Sequence, residues 1–168
     1  LIYQNRSLTV LNPTENHLTR AKTLNDIGIT LQKLGRYKEA LEHFNKSLVI
    51  RQELRFFTGE TTTLLDLGDL FIKQKKIEEA LTAINKALNL AIKIKAKPKI
   101  SRAYKTLFEI YQDLEQYEKA LEFHKKYHNV EKEISHDDID KKLKYMKVLH
   151  ELEKSKRESE MLHEELSL

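Results

Sequence analysis

The sequence predicts an all-α protein built from repeated pairs of helices, and three observations lead to this fold class. First, residues 24–44 return forty residues later as 64–84 and again as 104–124. Second, apolar residues within each copy recur at spacings of three and four, which is the period of one helix face. Third, the 168 residues include only four glycines and two prolines, too few for the many tight turns of a β-sandwich or propeller.

The landmarks of the repeat fall at matching positions in all three copies. An Ala-Leu pair occurs at 40–41, 80–81 and 120–121. In the first copy the apolar pattern of one helix breaks at Gly35 and Arg36, and a second apolar pattern begins at Tyr37. The small residues Gly28 and Ala40 would let the two helices approach closely. The pattern therefore indicates helix–turn–helix units.

Six residues of the first copy follow a fixed spacing: Leu24, Ile27, Gly28, Leu31, Ala40 and Phe44. This spacing resembles the tetratricopeptide repeat, W-x2-L-G-x2-Y…A-x3-F…P. The second copy matches equally well, whereas Phe108 replaces the glycine in the third. The resemblance implies an α-solenoid, and the period of 40 rather than 34 indicates that both helices are longer. HEAT-type pairs share the period but lack the Gly and Ala landmarks, so they are the second choice.

The repeat register divides the chain into five parts. We expect residues 1–20 to hold the second helix of a truncated preceding repeat and a linker, because Pro13 interrupts the helical pattern. Three repeats are predicted at 21–60, 61–100 and 101–134. Residues 135–168 are predicted to form a separate C-terminal helix, because Ser135 suits an N-cap and is closely followed by two acidic residues.

The C-terminal helix carries two apolar stripes. Ile139, Leu143 and Met146 are predicted to cap the last repeat. The second stripe has the alternating spacing of three and four residues of a coiled coil and predicts a weak homodimer; its residues are Tyr145, Val148, Leu152, Ser155, Ser159, Leu162 and Leu166. Tetratricopeptide repeats followed by a charged helix are similar to the sensory regions of bacterial signalling proteins of the diguanylate cyclase or histidine kinase type.

In the family that the repeats resemble, the first helix of each pair lines a concave groove. The register then predicts these groove residues: Lys22, Asn25, Ile29, Gln32, Leu65, Asp69, Ile72, Arg102, Lys105 and Glu109. The family's best-known clamp for a C-terminal carboxylate uses Lys and, four residues later, Asn, and this pair is absent here. The remaining groove has an apolar centre at Leu65 and Ile72 and cations at Arg102 and Lys105, which suits a peptide with acidic residues.

Motifs for catalysis or cofactor binding are not evident in the sequence. His124 and His128 are four residues apart, but a metal site needs further ligands. His136 lacks the other ligands of a metal-dependent phosphohydrolase, and His150 lacks the motif that follows a phospho-accepting histidine. We therefore expect no enzymatic activity, no cofactor and no bound metal.

Composition also limits the partners and the compartment. A basic run surrounds Pro98, but it lacks the interleaved aromatic residues of a nucleic-acid groove. The chain has no cysteine and no apolar run of about twenty residues, and no signal peptide is visible. We expect a cytoplasmic protein that neither inserts into membranes nor binds nucleic acid.

These observations predict a non-catalytic, regulatory interaction domain that binds a peptide or protein partner. The first hypothesis is the input region of a larger bacterial signalling protein. The second is a static scaffold or adaptor. The third is the non-catalytic portion of an enzyme whose catalytic domain follows residue 168.

Overall fold

The computed structural model describes residues 13–165, which form six helices joined by short turns. The helices are α1 (Pro13–Lys33), α2 (Tyr37–Glu53), α3 (Phe57–Lys73), α4 (Ile77–Lys93), α5 (Lys97–Asp113) and α6 (Tyr117–Glu165). These residues contain no strand, so the predicted all-α class is confirmed for the part of the chain that the structure describes.

All five turns have the same backbone geometry. The middle residue of each turn has φ between 50° and 74°, and these residues are Gly35, Arg55, Lys75, Lys95 and Glu115. The next residue donates its amide hydrogen to the carbonyl five positions back, as in the 2.9 Å bond from Arg36 N to Leu31 O. This is the Schellman arrangement, which satisfies carbonyls at the end of a helix.

The turns explain the period of the sequence. The helices α2 to α5 are each 17 residues long, and three residues separate each helix from the next. One helix pair with its two turns therefore takes the forty residues of the repeat. Both helices are longer than a 34-residue repeat allows, as the sequence predicted.

The helices pack as a continuous array. Contacts are most extensive within the pairs α1–α2 and α3–α4, and successive pairs meet along α2–α3 and α4–α5. The first helices of successive pairs also touch, because α3 contacts both α1 and α5. The first helices α1, α3 and α5 therefore form one layer of the solenoid.

Glycine permits the close approach within the first two pairs. A Cβ atom built on Gly28 would lie 2.7 Å from Cε1 of Phe44, and one built on Gly68 would lie 2.2 Å from Cδ1 of Ile84. Both neighbours are completely buried, at 0% exposure. The predicted role of Gly28 is therefore confirmed, and Gly68 plays the same part in the second pair.

The helices begin earlier than the boundaries predicted from the sequence. α1 starts at Pro13 rather than near residue 21, because proline is well tolerated in the first turn of a helix. α3 and α5 start at Phe57 and Lys97, four residues before the predicted boundaries of 61 and 101. A sequence period sets the length of a repeat but not its starting point. The helix predicted before Pro13 lies outside the described residues.

The predicted helix start at Ser135 is wrong. α6 is one helix of 49 residues, from Tyr117 to Glu165, and Ser135 lies inside it. This stretch has no Gly or Pro to end a helix. Ser and Asp cost only about 0.5 kcal/mol each within a helix. The structure divides into two units after His128, and α6 belongs to both.

The residues predicted to cap the last repeat belong to the second of these units, so the capping stays a prediction. Ile139, Leu143 and Met146 are each more than half exposed, at 53%, 52% and 65%. Tyr145 and Val148 of the predicted dimer seam are exposed as well. The side chains of Leu152, Ser159 and Leu162, and the whole of Leu166, lie outside the described residues.

Candidate functional site

A groove of about 410 Å³ lies on the layer formed by the first helices. α1 and α3 contribute most of its lining, and α2 and α5 each reach the groove with one arginine. The lining residues are Leu18, Lys22, Asn25, Asp26, Ile29, Arg51, Phe56, Thr58, Gly59, Thr62, Asp66 and Arg102. The groove therefore combines apolar side chains with charges of both signs.

A chain of hydrogen bonds joins α1, α2 and α3 at the groove. Nη1 of Arg51 donates to the carbonyl oxygen of Gly59 at 2.7 Å and to Oγ1 of Thr63 at 2.6 Å. Thr63 in turn donates to Oδ1 of Asn25 at 2.8 Å. Nδ2 of Asn25 donates to Oδ2 of Asp66 at 2.7 Å. Buried polar groups that are satisfied in this way hold one another in a single arrangement.

Arg102 extends this chain to α5. Its Nη2 donates to Oδ1 of Asp66 at 2.7 Å and to Oδ2 of Asp69 at 2.6 Å. The Asp66 side chain is only 7% exposed, whereas the side chains of Asp69 and Arg102 are 38% and 40% exposed. Two carboxylates of different accessibility thus share one guanidinium nitrogen.

The charges of this cluster are unequally compensated. Burial raises the pKa of Asp69, and the hydrogen bond and charge of Arg102 offset this only in part. Burial lowers the pKa of Arg102, but its bonds to Asp66 and Asp69 more than offset the effect, so that the pKa is raised overall. The arginine is therefore well compensated. Asp69 is not, because its burial outweighs the hydrogen bond and the charge of Arg102.

Lys99 adjoins the groove, and the sequence analysis missed it. It lies on α5 one turn before Arg102, and its Nζ donates to Oγ1 of Thr62 at 2.6 Å. Burial, and then the charge of Arg102, lowers its pKa. The basic run around Pro98 extends into α5, which begins at Lys97 and therefore places Lys99 in the helix. The spacing of three from Arg102 would have indicated a shared helix face.

Four predicted groove residues line this groove: Lys22, Asn25, Ile29 and Arg102. Asn25 is only 3% exposed and orients Asp66, so its amide is part of the floor. Asp69, also predicted, is not part of the lining but is joined to it by its bond to Arg102.

The prediction for Leu65 is wrong. It is 1% exposed and belongs to the hydrophobic core, together with Ile84 and Leu107. α3 is packed on several sides, by α2, α4 and α5 among others, so almost every residue from 61 to 70 is buried. A helix with one covered face would have left Leu65 accessible.

The remaining predicted residues lie outside the lining of this groove. Gln32 and Ile72 are half-buried. Lys105 and Glu109 are exposed, and Nζ of Lys105 lies 3.9 Å from Oε1 of Glu109. Neither of these two residues contacts the Arg102 cluster through a recorded hydrogen bond or ion pair in the described part of the chain.

A second hollow, of about 480 Å³, lies on the other side of the array between α2 and α4. Its rim includes Glu78, Glu79 and Lys86, and its floor includes Leu67 and Ala83. The floor residues are buried core residues, and no network of polar side chains crosses it in the described structure.

His124, one of the histidines considered as metal ligands, packs against an aromatic ring. The His124 ring lies 5.0 Å from the Phe108 ring, centroid to centroid. Within residues 13–165, no group of three or more His, Cys, Asp or Glu residues is arranged to hold a metal ion. None of the described helices combines the length and apolarity needed to cross a membrane.

The layered helix pairs and the groove on their first helices define a helical-repeat solenoid. The model of the tetratricopeptide repeat family matches residues 1–53 and 60–133, and the chain belongs to this family. Repeats of this family generally mediate protein–protein interactions and are generally non-catalytic.

Two solved structures have a similar fold. The crystal structure of BtubC (BKLC) from P. vanneervenii has a TM-score of 0.64 and 15% sequence identity, over 68% of this chain and 48% of that one. The TPR domain of Arabidopsis FLU has a TM-score of 0.62 and 24% identity, over 70% of this chain and 96% of that one. The present chain thus spans about half of the BtubC chain. At these identities the likeness concerns the fold alone. No curated protein matches the chain.

Proposed function

We propose that the repeats bind a peptide or protein partner in the groove on α1, α3 and α5. The observation that carries this proposal is the chain of hydrogen bonds from Arg51 to Asp69, which joins four helices at the groove. A floor that is ordered before binding loses less entropy when a partner arrives. The rigid polar floor supports a recognition site better than the apolar hollow on the opposite side does.

The walls of the groove suit a partner with mixed side chains. Leu18 and Ile29 are half-buried and Phe56 is 39% exposed, so each has apolar surface left to cover. Lys22 and Asp26 stand beside them on α1. Apolar anchors surrounded by charged groups are the usual composition of a peptide-binding groove.

The context that we propose is the regulatory input region of a larger cytoplasmic signalling protein of bacterial type. α6 supports this, because one helix begins among the packed repeats and continues to Glu165. Near its start, Phe123 stacks on Tyr111 with 5.4 Å between ring centroids. Its exposed apolar residues further along suit a homodimer with a second copy of the chain. The alternatives are a static scaffold and the non-catalytic portion of an enzyme.

A selection experiment tests the groove. Displayed random decapeptides are selected on the purified chain, and the enriched peptides are tested against a variant with Lys22→Glu and Ile29→Asp. The matched control carries Lys86→Glu and Ile92→Asp, which make the same changes at exposed positions of α4. Loss of binding with the first variant only is expected. Equal binding to both variants, or an equal loss, would contradict the proposal.

A further inference from the structure

We infer that Asp69 occupies, in the free chain, the place on Arg102 that a carboxylate of the partner takes when it binds. The partner is then an acidic peptide, and Asp69 is an internal competitor for it. This inference rests on the proposed function, because it assigns the chemistry of the same groove.

The two carboxylates on Arg102 differ in how firmly they are held. Asp66 is almost fully buried and also accepts a hydrogen bond from Asn25 at 2.7 Å. Asp69 is 38% exposed, and among the described residues Arg102 supplies its only recorded hydrogen bond. Asp66 therefore orients the guanidinium, whereas Asp69 is the carboxylate that a partner can replace.

Asp69 has a second cation available when it leaves Arg102. Lys73 lies four residues further along α3, the spacing at which helical side chains form ion pairs. Burial and Arg102 dominate the pKa of Asp69, but Lys73 already lowers it through its charge. A rotation of the Asp69 side chain toward Lys73 would leave no carboxylate unpaired, so the exchange is electrostatically balanced.

The charge of the groove favours a carboxylate as the incoming group. Four cations line or adjoin it, namely Lys22, Arg51, Lys99 and Arg102, against the three acids Asp26, Asp66 and Asp69. The net charge of these groups is therefore +1, and it becomes +2 when Asp69 turns away from the groove. Arg102 offers a partly exposed, pre-oriented guanidinium, the group that binds carboxylates best.

The deciding experiment compares two variants that remove one negative charge each. Asp69→Asn removes the competitor, and the control Glu109→Gln removes an exposed carboxylate on α5 that pairs with Lys105 instead. Synthetic decapeptides taken from the library selection serve as probes. We expect acidic probes to bind the Asp69→Asn variant about three- to tenfold more tightly than the unmodified chain, on the scale of a partly exposed ion pair.

The control variant should stay within about twofold of the unmodified chain, since distant exposed charges are screened. Arg102→Gln and Arg102→Lys should each weaken binding, and circular dichroism checks that both variants remain folded. Arg102→Lys keeps the charge but removes the planar donor group.

The outcomes separate this inference from the proposed function. Groove-dependent binding of neutral or basic probes would overturn the inference alone. So would equal tightening by Asp69→Asn and Glu109→Gln, which would indicate a general charge effect. The proposed function fails instead if no decapeptide is selected, or if the Lys22→Glu, Ile29→Asp variant binds every probe unchanged.

Discussion

Among single residues, Gly68 illustrates how one missing side chain sets the distance between two helices. Its backbone faces the completely buried Ile84, and an added Cβ would come within 2.2 Å of Cδ1. The buried Ile84 side chain has little room to move, because protein cores are close-packed. The spacing of the sequence indicated this glycine correctly, since it aligns with Gly28.

Gly68→Ala should therefore lower the free energy of unfolding. The overlap with Ile84 is expected to cost about 1–3 kcal/mol, which outweighs the gain of about 1 kcal/mol in helix propensity. Urea unfolding monitored by circular dichroism measures the difference. An alanine variant more stable than the unmodified chain would show that the two helices can separate at little cost.

The polar cluster was only partly predictable at this scale. Asn25, Asp69 and Arg102 were identified from the register, but Thr63 and Asp66 have the appearance of surface residues in a helical pattern. Asn25 and Asp66 are 41 residues apart, and Arg102 and Asp66 are 36 apart. A single sequence carries no signal for hydrogen bonds at such separations.

The raised pKa of Asp69 predicts a pH effect on stability. Its ordinary value is 3.8, and burial raises the pKa in the folded chain. At a pH between the pKa of Asp69 in the unfolded chain and its higher pKa in the folded chain, the folded chain binds more protons than the unfolded chain. The contribution of this carboxyl to the free energy of unfolding therefore decreases as the pH rises. Asp69→Asn removes the effect.

The unfolding free energy of Asp69→Asn minus that of the unmodified chain should therefore increase as the pH rises above 3.8. Urea titrations at a series of pH values up to about 6 cover the window, since measured pKa values of aspartates scatter by about one unit. A difference that decreases with pH would mean that Arg102 outweighs burial.

Among the elements, the turns show why the boundaries were harder to predict than the fold. All five turns place one residue at positive φ, but only the first uses glycine. Arg55, Lys75, Lys95 and Glu115 adopt this conformation without the usual sequence signal. The twenty-residue spacing of these positions follows from the helix lengths and becomes evident only with the structure.

Glycine should be the better residue at these turn positions. Lys75→Gly is expected to stabilise the chain by about 0.5–1 kcal/mol, because it removes the steric cost of the left-handed conformation. Gly35→Ala is expected to destabilise it by a similar amount, since Gly35 has φ of 74° and no neighbour within 4 Å for a Cβ to meet. Thermal unfolding of both variants measures the two changes in stability. Destabilisation by Lys75→Gly, or stabilisation by Gly35→Ala, would contradict the assigned turn geometry.

Several apolar residues of α6 are exposed, among them Tyr145 and Val148 of the predicted dimer seam. A parallel dimer through the predicted seam would cover Tyr145 and Val148. Val148→Asp with Leu152→Asp should therefore reduce self-association of residues 1–168 in sedimentation experiments. Asn129→Asp with His150→Asp is the matched control, since both positions lie opposite the seam in the heptad register. Equal effects of the two variants would argue against a seam.

For the whole molecule, the forty-residue period was sufficient to predict the solenoid, because each helix pair can bury its apolar face only against neighbouring pairs. The phase of the repeats was not predictable, as the early starts of α3 and α5 show. For the same reason Leu65 was predicted to line the groove, since the period alone could not distinguish this core residue from a groove residue. Burial on several sides of α3 is a property of the assembled array.

Amide chemical-shift mapping shows whether the layer of α1, α3 and α5 receives the partner. A selected decapeptide is titrated into ¹⁵N-labelled protein, and shifts are compared between the two sides of the array. We predict the largest shifts at groove positions such as Lys22, Thr62 and Arg102. Shifts confined to the hollow between α2 and α4, around Glu79 and Lys86, would contradict the proposed function.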